Sequence, residues 1–145
     1  MTLKINSVEE ILQGIGVAAL PGEVLTGVMV GDIVRVRAAI DYMGPRLDDT
    51  FYAAIGTRTL LLFDEIWFGE TPVSFAQSND WVSYPLIVDI PITEIGLFPW
   101  TPGIFDLYVK LDNNPGAGMP ELANVIEILL KAQFANFAIT RYEKV

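Results

Sequence analysis

The chain has 145 residues, with 18 acidic against 9 basic side chains, a formal charge of −9, and neither His nor Cys. This length suits one domain with its own core. The missing residue types exclude Ser-His-Asp and Cys-His nucleophilic machinery, disulfides and thiolate metal sites, and the lack of clustered Lys and Arg argues against nucleic acid or an anionic membrane as partner.

Hydrophobic residues make up 52% of the chain and charged residues 19%, where an average domain has about 25% charged. Part of that apolar surplus is therefore expected to lie against other subunits.

At the N-terminus, Met1-Thr2-Leu3-Lys4-Ile5-Asn6 shows no basic region followed by an apolar core, so no signal peptide is expected. No apolar run in the chain approaches the ~20 residues of a membrane span, and membrane insertion is not expected. Ser7-Val8-Glu9-Glu10 matches a capping box, which allows a short helix over Val8–Gln13, stopped by Gly14 and Gly16. Residues 1–30 read as an N-terminal arm or first strands, and residues 31–145 as the β-sandwich of a single domain. An apolar arm of this kind can add a strand to a neighbour's edge. On that reading, removing residues 1–22 abolishes assembly and leaves the sandwich folded.

From there the dominant hydrophobic period is two. Over Asp32–Tyr42, Val34, Val36, Ala38, Ile40 and Tyr42 share one face, and Arg35, Arg37 and Asp41 the other; this is the pattern of a half-buried antiparallel strand. Thr50–Ile55 reads as a short strand and Leu60–Phe68 as the next, with Gly56-Thr57-Arg58 as the turn between them. In Trp81–Thr93, Val82, Tyr84, Leu86, Val88, Ile90 and Ile92 alternate with Trp81, Ser83, Pro85, Ile87, Asp89 and Pro91. The two prolines cannot donate ladder hydrogen bonds, so this strand is placed at a sheet edge or a bulge. Gly103–Asp112 directs Phe105, Leu107, Val109 and Leu111 inward and Asp106, Tyr108 and Lys110 outward. Pro120–Ala138 is read as two strands broken near Lys131-Ala132-Gln133, in preference to one amphipathic helix. Short strands separated by Gly/Pro/Asn/Asp turns predict an all-β, antiparallel β-sandwich.

Few residues carry a chemical signal. Gly14-x-Gly16 is only a fragment of a nucleotide-binding pattern. Asp48-Asp49 and Asp64-Glu65 are paired carboxylates, but strand neighbours point to opposite faces, whereas a glycosidase needs two acids converging about 5–10 Å apart. They read as solvated charge, and no enzyme is expected. Asp112, Asn113 and Asn114 are the calcium candidates, since hard oxygen donors suit that ion. Their spacing matches no EF-hand loop, and Asx residues before Pro-Gly are ordinary turn formers; no other cofactor is expected. The tryptophans are the candidate ligand or interface residues. Trp81 lies on the polar phase of its strand and Trp100 in a loop bracketed by Pro99 and Pro102, so both suit stacking on a sugar ring or on another subunit. Trp67 shares its phase with both Phe63 and Glu65, which leaves its side open.

The runs Gly31-Asp32-Ile33-Val34-Arg35-Val36-Arg37, Phe51-Tyr52-Ala53-Ala54-Ile55-Gly56 and Pro102-Gly103-Ile104-Phe105-Asp106-Leu107-Tyr108-Val109-Lys110 resemble immunoglobulin-like sandwich modules of bacterial surface and phage structural proteins. The tail Phe134-Ala135-Asn136-Phe137-Ala138-Ile139-Thr140 is similar to the last strand of jelly-roll carbohydrate modules. The resemblance implies a sandwich and a non-catalytic role, and carries over no site residues. The expectation is a non-enzymatic subunit of a coat, filament or surface array, a viral one included, placed in a virion or at a cell surface. Its partners would be its own copies or other structural subunits. The alternative is a carbohydrate-binding module that presents exposed Trp side chains to a glycan.

Overall fold

The computed structural model describes residues 3–12, 15–94, 103–129, 138–139, 141 and 143–144, with the side chains of 10–19 set aside. Among these residues, nine strands form two sheets that pack face to face. The first contains β1 (Lys4–Leu12), β2 (Ile15–Ala19), β4 (Ile33–Gly44) and β7 (Ser78–Pro91), in the order β2-β1-β4-β7. The second contains β3 (Leu25–Met29), β5 (Leu47–Arg58), β6 (Phe63–Phe75), β8 (Ile104–Leu111) and β9 (Glu121–Leu129), in the order β3-β9-β8-β5-β6. Every pairing is antiparallel except that of β3 with β9. This is the expected all-β sandwich.

Strict alternation drives the best-formed pair. β4 and β7 stay in register from Ile33–Pro91 to Tyr42–Val82. Their inward residues Val34, Val36, Ile40, Leu86, Val88 and Ile90 are buried against Phe51, Ile55, Phe105 and Leu107 of the other sheet. Removal of this apolar area from water is the main stabilising term. As its prolines require, β7 lies at the edge of its sheet. The turn entering β4 is set by Gly31, whose φ of +99° suits glycine, and by Asp32, whose buried carboxylate accepts the Met29 N–H at 2.9 Å.

The N-terminal segment departs from expectation. Instead of a helix over Val8–Gln13, β1 runs through Leu12 as an interior strand, with β2 on one side and β4 on the other. Ile5 pairs with Ala38 and Ser7 with Arg37, so Asn6 is an extra residue in a bulge. The bulge shifts the phase by one. Ile5 and Val8 therefore both face the core, although they are three apart. That spacing imitates a helical face, and tertiary pairing overrides the local capping signal. Residues 1–30 thus supply first strands to both sheets, which excludes a free arm over β1 and β3.

β9 is the first of the two strands expected over 120–138; the second falls outside the described residues. The register of β9 on β8 slips between Phe105–Ile126 and Leu107–Leu122, near Asn124 with its φ of +53°. Asp106, expected to face solvent, fills this gap and is buried. Its carboxylate accepts the backbone N–H of Asn124 and of Arg58, each at 2.7 Å.

Candidate functional site

Trp67 owes its position to a second bulge. Ile55 pairs with Trp67 but Gly56 pairs with Glu65, so Ile66 is the extra residue. The slip places Trp67 inward while Glu65 and Phe63 stay outward, which resolves a phase that strict alternation leaves ambiguous. Gly56, expected in a turn, lies inside β5, where any Cβ would collide with the carbonyl oxygen of Asp64. Trp67 is 2% exposed, packs edge-on to Phe105 at 5.2 Å, and donates its indole N–H to the Thr93 carbonyl at 2.8 Å. It is a core residue and is removed from the candidate contact residues.

The hairpin between β5 and β6 carries a run of exposed apolar side chains. Leu60, Leu61 and Leu62 are 97%, 85% and 65% exposed. Leucines were expected to begin a strand here; instead they form the turn itself. The turn is preorganised: the Thr59 N–H donates to the Leu62 carbonyl at 2.8 Å, the Thr59 hydroxyl donates to the same carbonyl at 3.1 Å, and the Leu62 N–H donates back to that hydroxyl at 3.3 Å.

Behind the tip, the outer face of the second sheet carries an aromatic cluster that the sequence reading did not single out. Both oxygens of the Glu65 carboxylate accept a phenol, Oε2 from Tyr52 at 2.5 Å and Oε1 from Tyr108. Phe68 stacks on Tyr52 with ring centroids 5.7 Å apart, and Phe63 meets Tyr108 edge-on at 4.7 Å. Lys110 Nζ lies 5.0 Å from the Tyr52 ring centre, and the Arg58 guanidinium 5.4 Å from that of Phe63. Arg58 also pairs with Glu121 at 2.9 Å. The cluster joins β5, β6 and β8, and it buries Tyr108, expected outward, together with Ala54.

Burial and the Glu65 carboxylate beside them push both phenols well above the ordinary range. A raised folded-state pKa means that the protonated phenol favours the fold. This contribution is present below about pH 10, the unfolded tyrosine value, and is lost as pH rises through the folded value. In an alkaline titration of tyrosinate absorbance, Tyr52 and Tyr108 are expected to ionise later than a model phenol. Glu65→Gln should move both downward. A wild-type curve matching free tyrosine throughout would contradict the cluster.

The outer face of the first sheet presents a different surface. Trp81 is 58% and Ile87 41% exposed, with Pro85 between them along β7 and Met43 exposed on β4. Arg35 holds Asp89 through two bonds of 2.8 and 3.0 Å, and Arg37 meets Glu9 at 2.7 Å. The hydrogen bonds from Arg35 hold the Asp89 carboxyl below its usual range. Of the expected contact residues, Trp81 is therefore at the surface, and Trp100 lies outside the described residues.

The calcium candidates do not converge as oxygen ligands. Asp112 faces Lys110 at 3.6 Å. Asn113 and Asn114 direct their carboxamide N–H groups to the buried Asp49 carboxylate at 3.2 and 2.6 Å, joined by the backbone N–H groups of Asn113 and Thr50. Burial pushes the Asp49 carboxyl up, but these donors together hold it below its usual range. The loop is built as a turn around Asp49. Among the described residues, no group of three or more His, Cys, Asp or Glu could hold a metal, and no helix is long and apolar enough to cross a membrane.

Asp48 and Asp49 diverge as strand neighbours do: Asp48 takes the Ser74 hydroxyl at 2.7 Å and Arg46 at 2.9 Å, far from the partners of Asp49. Glu65 is tied to its two tyrosines while Asp64 is exposed. Neither pair brings two carboxylates together across a cleft. The described surfaces comprise an apolar tip, an aromatic cluster with hydrogen-bonding groups, and an outer face on which Arg35 pairs with Asp89 and Arg37 with Glu9. No protein-family model and no curated protein matches this chain.

Proposed function

We propose that this chain is a structural β-sandwich subunit that associates with copies of itself, as in a coat, filament or surface array. The observation that carries the reading is the leucine tip. Three consecutive leucines are exposed on a turn that hydrogen bonds hold in place, so ordering already present in the single chain is available to a partner. Burying a leucine contributes about 1.5–3 kcal/mol, and apolar side chains displayed together mark interaction sites more often than scattered ones do. The exposed Trp81 and Ile87 add a second apolar surface, and Trp is enriched where interfaces concentrate their energy.

The test is the variant Leu60→Ser/Leu61→Ser/Leu62→Ser. These side chains sit outside the core, so its urea midpoint should stay within about 0.5 kcal/mol of wild type in stability. Its mass in solution should fall to that of one chain at concentrations where the wild type is multimeric. An unchanged distribution of multimers would place the contact elsewhere.

A carbohydrate-binding reading has its own support. The Tyr52 and Phe68 rings lie within 17° of parallel beside Glu65, and Trp81 is exposed. Amphipathic rings next to hydrogen-bonding groups suit a sugar, whose faces are apolar and whose edges carry hydroxyls. It predicts that Phe68→Ala or Trp81→Ala loses retention on immobilised glycans without losing the fold. Equal retention by both variants would remove these residues as the platform.

A further inference from the structure

We infer that Tyr52, Glu65 and Tyr108 form an oxidation site, at which a one-electron oxidant couples the two phenol rings into a dityrosine within the chain. The link ties β5 covalently to β8 and does not depend on self-association.

The strand register sets the pair. Ala54 pairs with Tyr108 and Tyr52 with Lys110, so the two tyrosines are diagonal neighbours on adjacent strands, a spacing that aromatic side chains span. Their ring centroids are 6.2 Å apart, with the planes at 42°. Each phenol donates to a different oxygen of one carboxylate, Tyr52 to Oε2 of Glu65 at 2.5 Å and Tyr108 to Oε1. Tyr52 is half-buried and Glu65 exposed, while Tyr108 is buried behind them. Tyr42 and Tyr84 lack this arrangement. Both pack against the Phe75 ring, each with centroids 5.0 Å apart, and Tyr42 donates to the Pro45 carbonyl, which is a poor proton acceptor. The chain has no Cys to take the oxidising equivalents first.

A phenol that loses an electron also sheds its proton, and a carboxylate within hydrogen-bond reach receives it. The oxidant takes the first electron from Tyr52, nearer the surface, and the proton crosses to Oε2 of Glu65. The oxidised Tyr52 then takes an electron from Tyr108. Glu65 returns the Oε2 proton to Tyr52 and accepts the Tyr108 proton on Oε1. This proton passes to water from the exposed carboxyl, and a second equivalent oxidises Tyr52 again by the same route. The two phenoxyl rings join through a carbon–carbon bond ortho to each oxygen. The hydrogens on those carbons pass through water to the oxygens as the rings regain aromaticity. The pair loses two electrons and two protons in all; hydrogen peroxide, acting through a haem peroxidase, accepts them and becomes two waters.

In the test, the wild-type chain is treated with a haem peroxidase and limiting hydrogen peroxide, then digested and mapped by mass. The expected product is a peptide pair joining Tyr52 to Tyr108, two hydrogens lighter than its parts and with dityrosine fluorescence. Glu65→Gln keeps the side-chain shape but takes up no proton, and should slow the link by about tenfold or more. Circular dichroism checks that this variant folds. The wild-type rate should also fall in heavy water, and that isotope effect should shrink in the variant. Dityrosine absent from the wild type, mapped to other residues, or formed only between chains would overturn the inference without recourse to any variant. Equal rates in the wild type and a folded Glu65→Gln would overturn it as well, by removing the proton relay.

Discussion

Removing residues 1–22 is expected to abolish the native fold. The deletion takes out β1 and β2, and β1 is an interior strand held on both sides. Its loss strips β4 of its partner from Lys4–Ala39 to Ile11–Ile33 and exposes that backbone ladder. Leu3, Ile5 and Val8 leave the core with it. At roughly 1.5–3 kcal/mol for each of these three buried side chains, the apolar term alone comes to about 4.5–9 kcal/mol. A domain's whole stability is about 5–15 kcal/mol. The deletion further removes the hydrogen bond from the Leu3 N–H to the Ala117 carbonyl, which ties this segment to the turn before β9. Circular dichroism of the truncated chain should show no cooperative thermal transition. A cooperative transition with the strand signature intact would restore the picture of a dispensable arm.

Trp67→Ala is expected to destabilise the protein by about 3–5 kcal/mol, the range for truncating a large buried aromatic. The indole fills the space beside Phe105, and its N–H satisfies the Thr93 carbonyl. The substitution therefore opens a cavity and leaves an acceptor without its donor. Leu60→Ala, at a fully exposed position of the same hairpin, serves as the control and should change stability by no more than about 0.5 kcal/mol. Urea unfolding of both variants reads the difference directly. Similar midpoints for the two would mean that Trp67 is not anchored in the core.

The contrast between these two residues shows what a period of two can reveal. β4, β7 and β8 were legible because their core residues alternate, and the prolines of β7 correctly placed it at an edge. Trp67 was not, because Ile66 slips the register by one and local alternation holds no record of such a slip. Asn6 does the same in β1, where the capping-box pattern Ser7-Val8-Glu9-Glu10 pointed to a helix instead. The leucine tip was read as the start of a strand because its residues are apolar, whereas Thr59 builds it as a turn. The Tyr52–Glu65–Tyr108 cluster joins residues 13 and 43 positions apart. The outward phase of Tyr108 was visible in the sequence; the adjacency of β5 and β8, which brings it and Tyr52 to one carboxylate, was not.

Asp49 teaches the same lesson in the opposite direction. Turn chemistry at Asn113-Asn114-Pro115-Gly116 was readable from residue types alone. The carboxylate that organises the turn comes from a distant strand, and only the fold shows that the two asparagines serve it as donors.

The central claim, that the chain is built to meet copies of itself, is tested most directly by its mass in solution. Light scattering behind a sizing column, run across a concentration series, reads this without a label. The account predicts species heavier than the 16.0 kDa chain that grow with concentration. A constant mass of one chain across the series would contradict it.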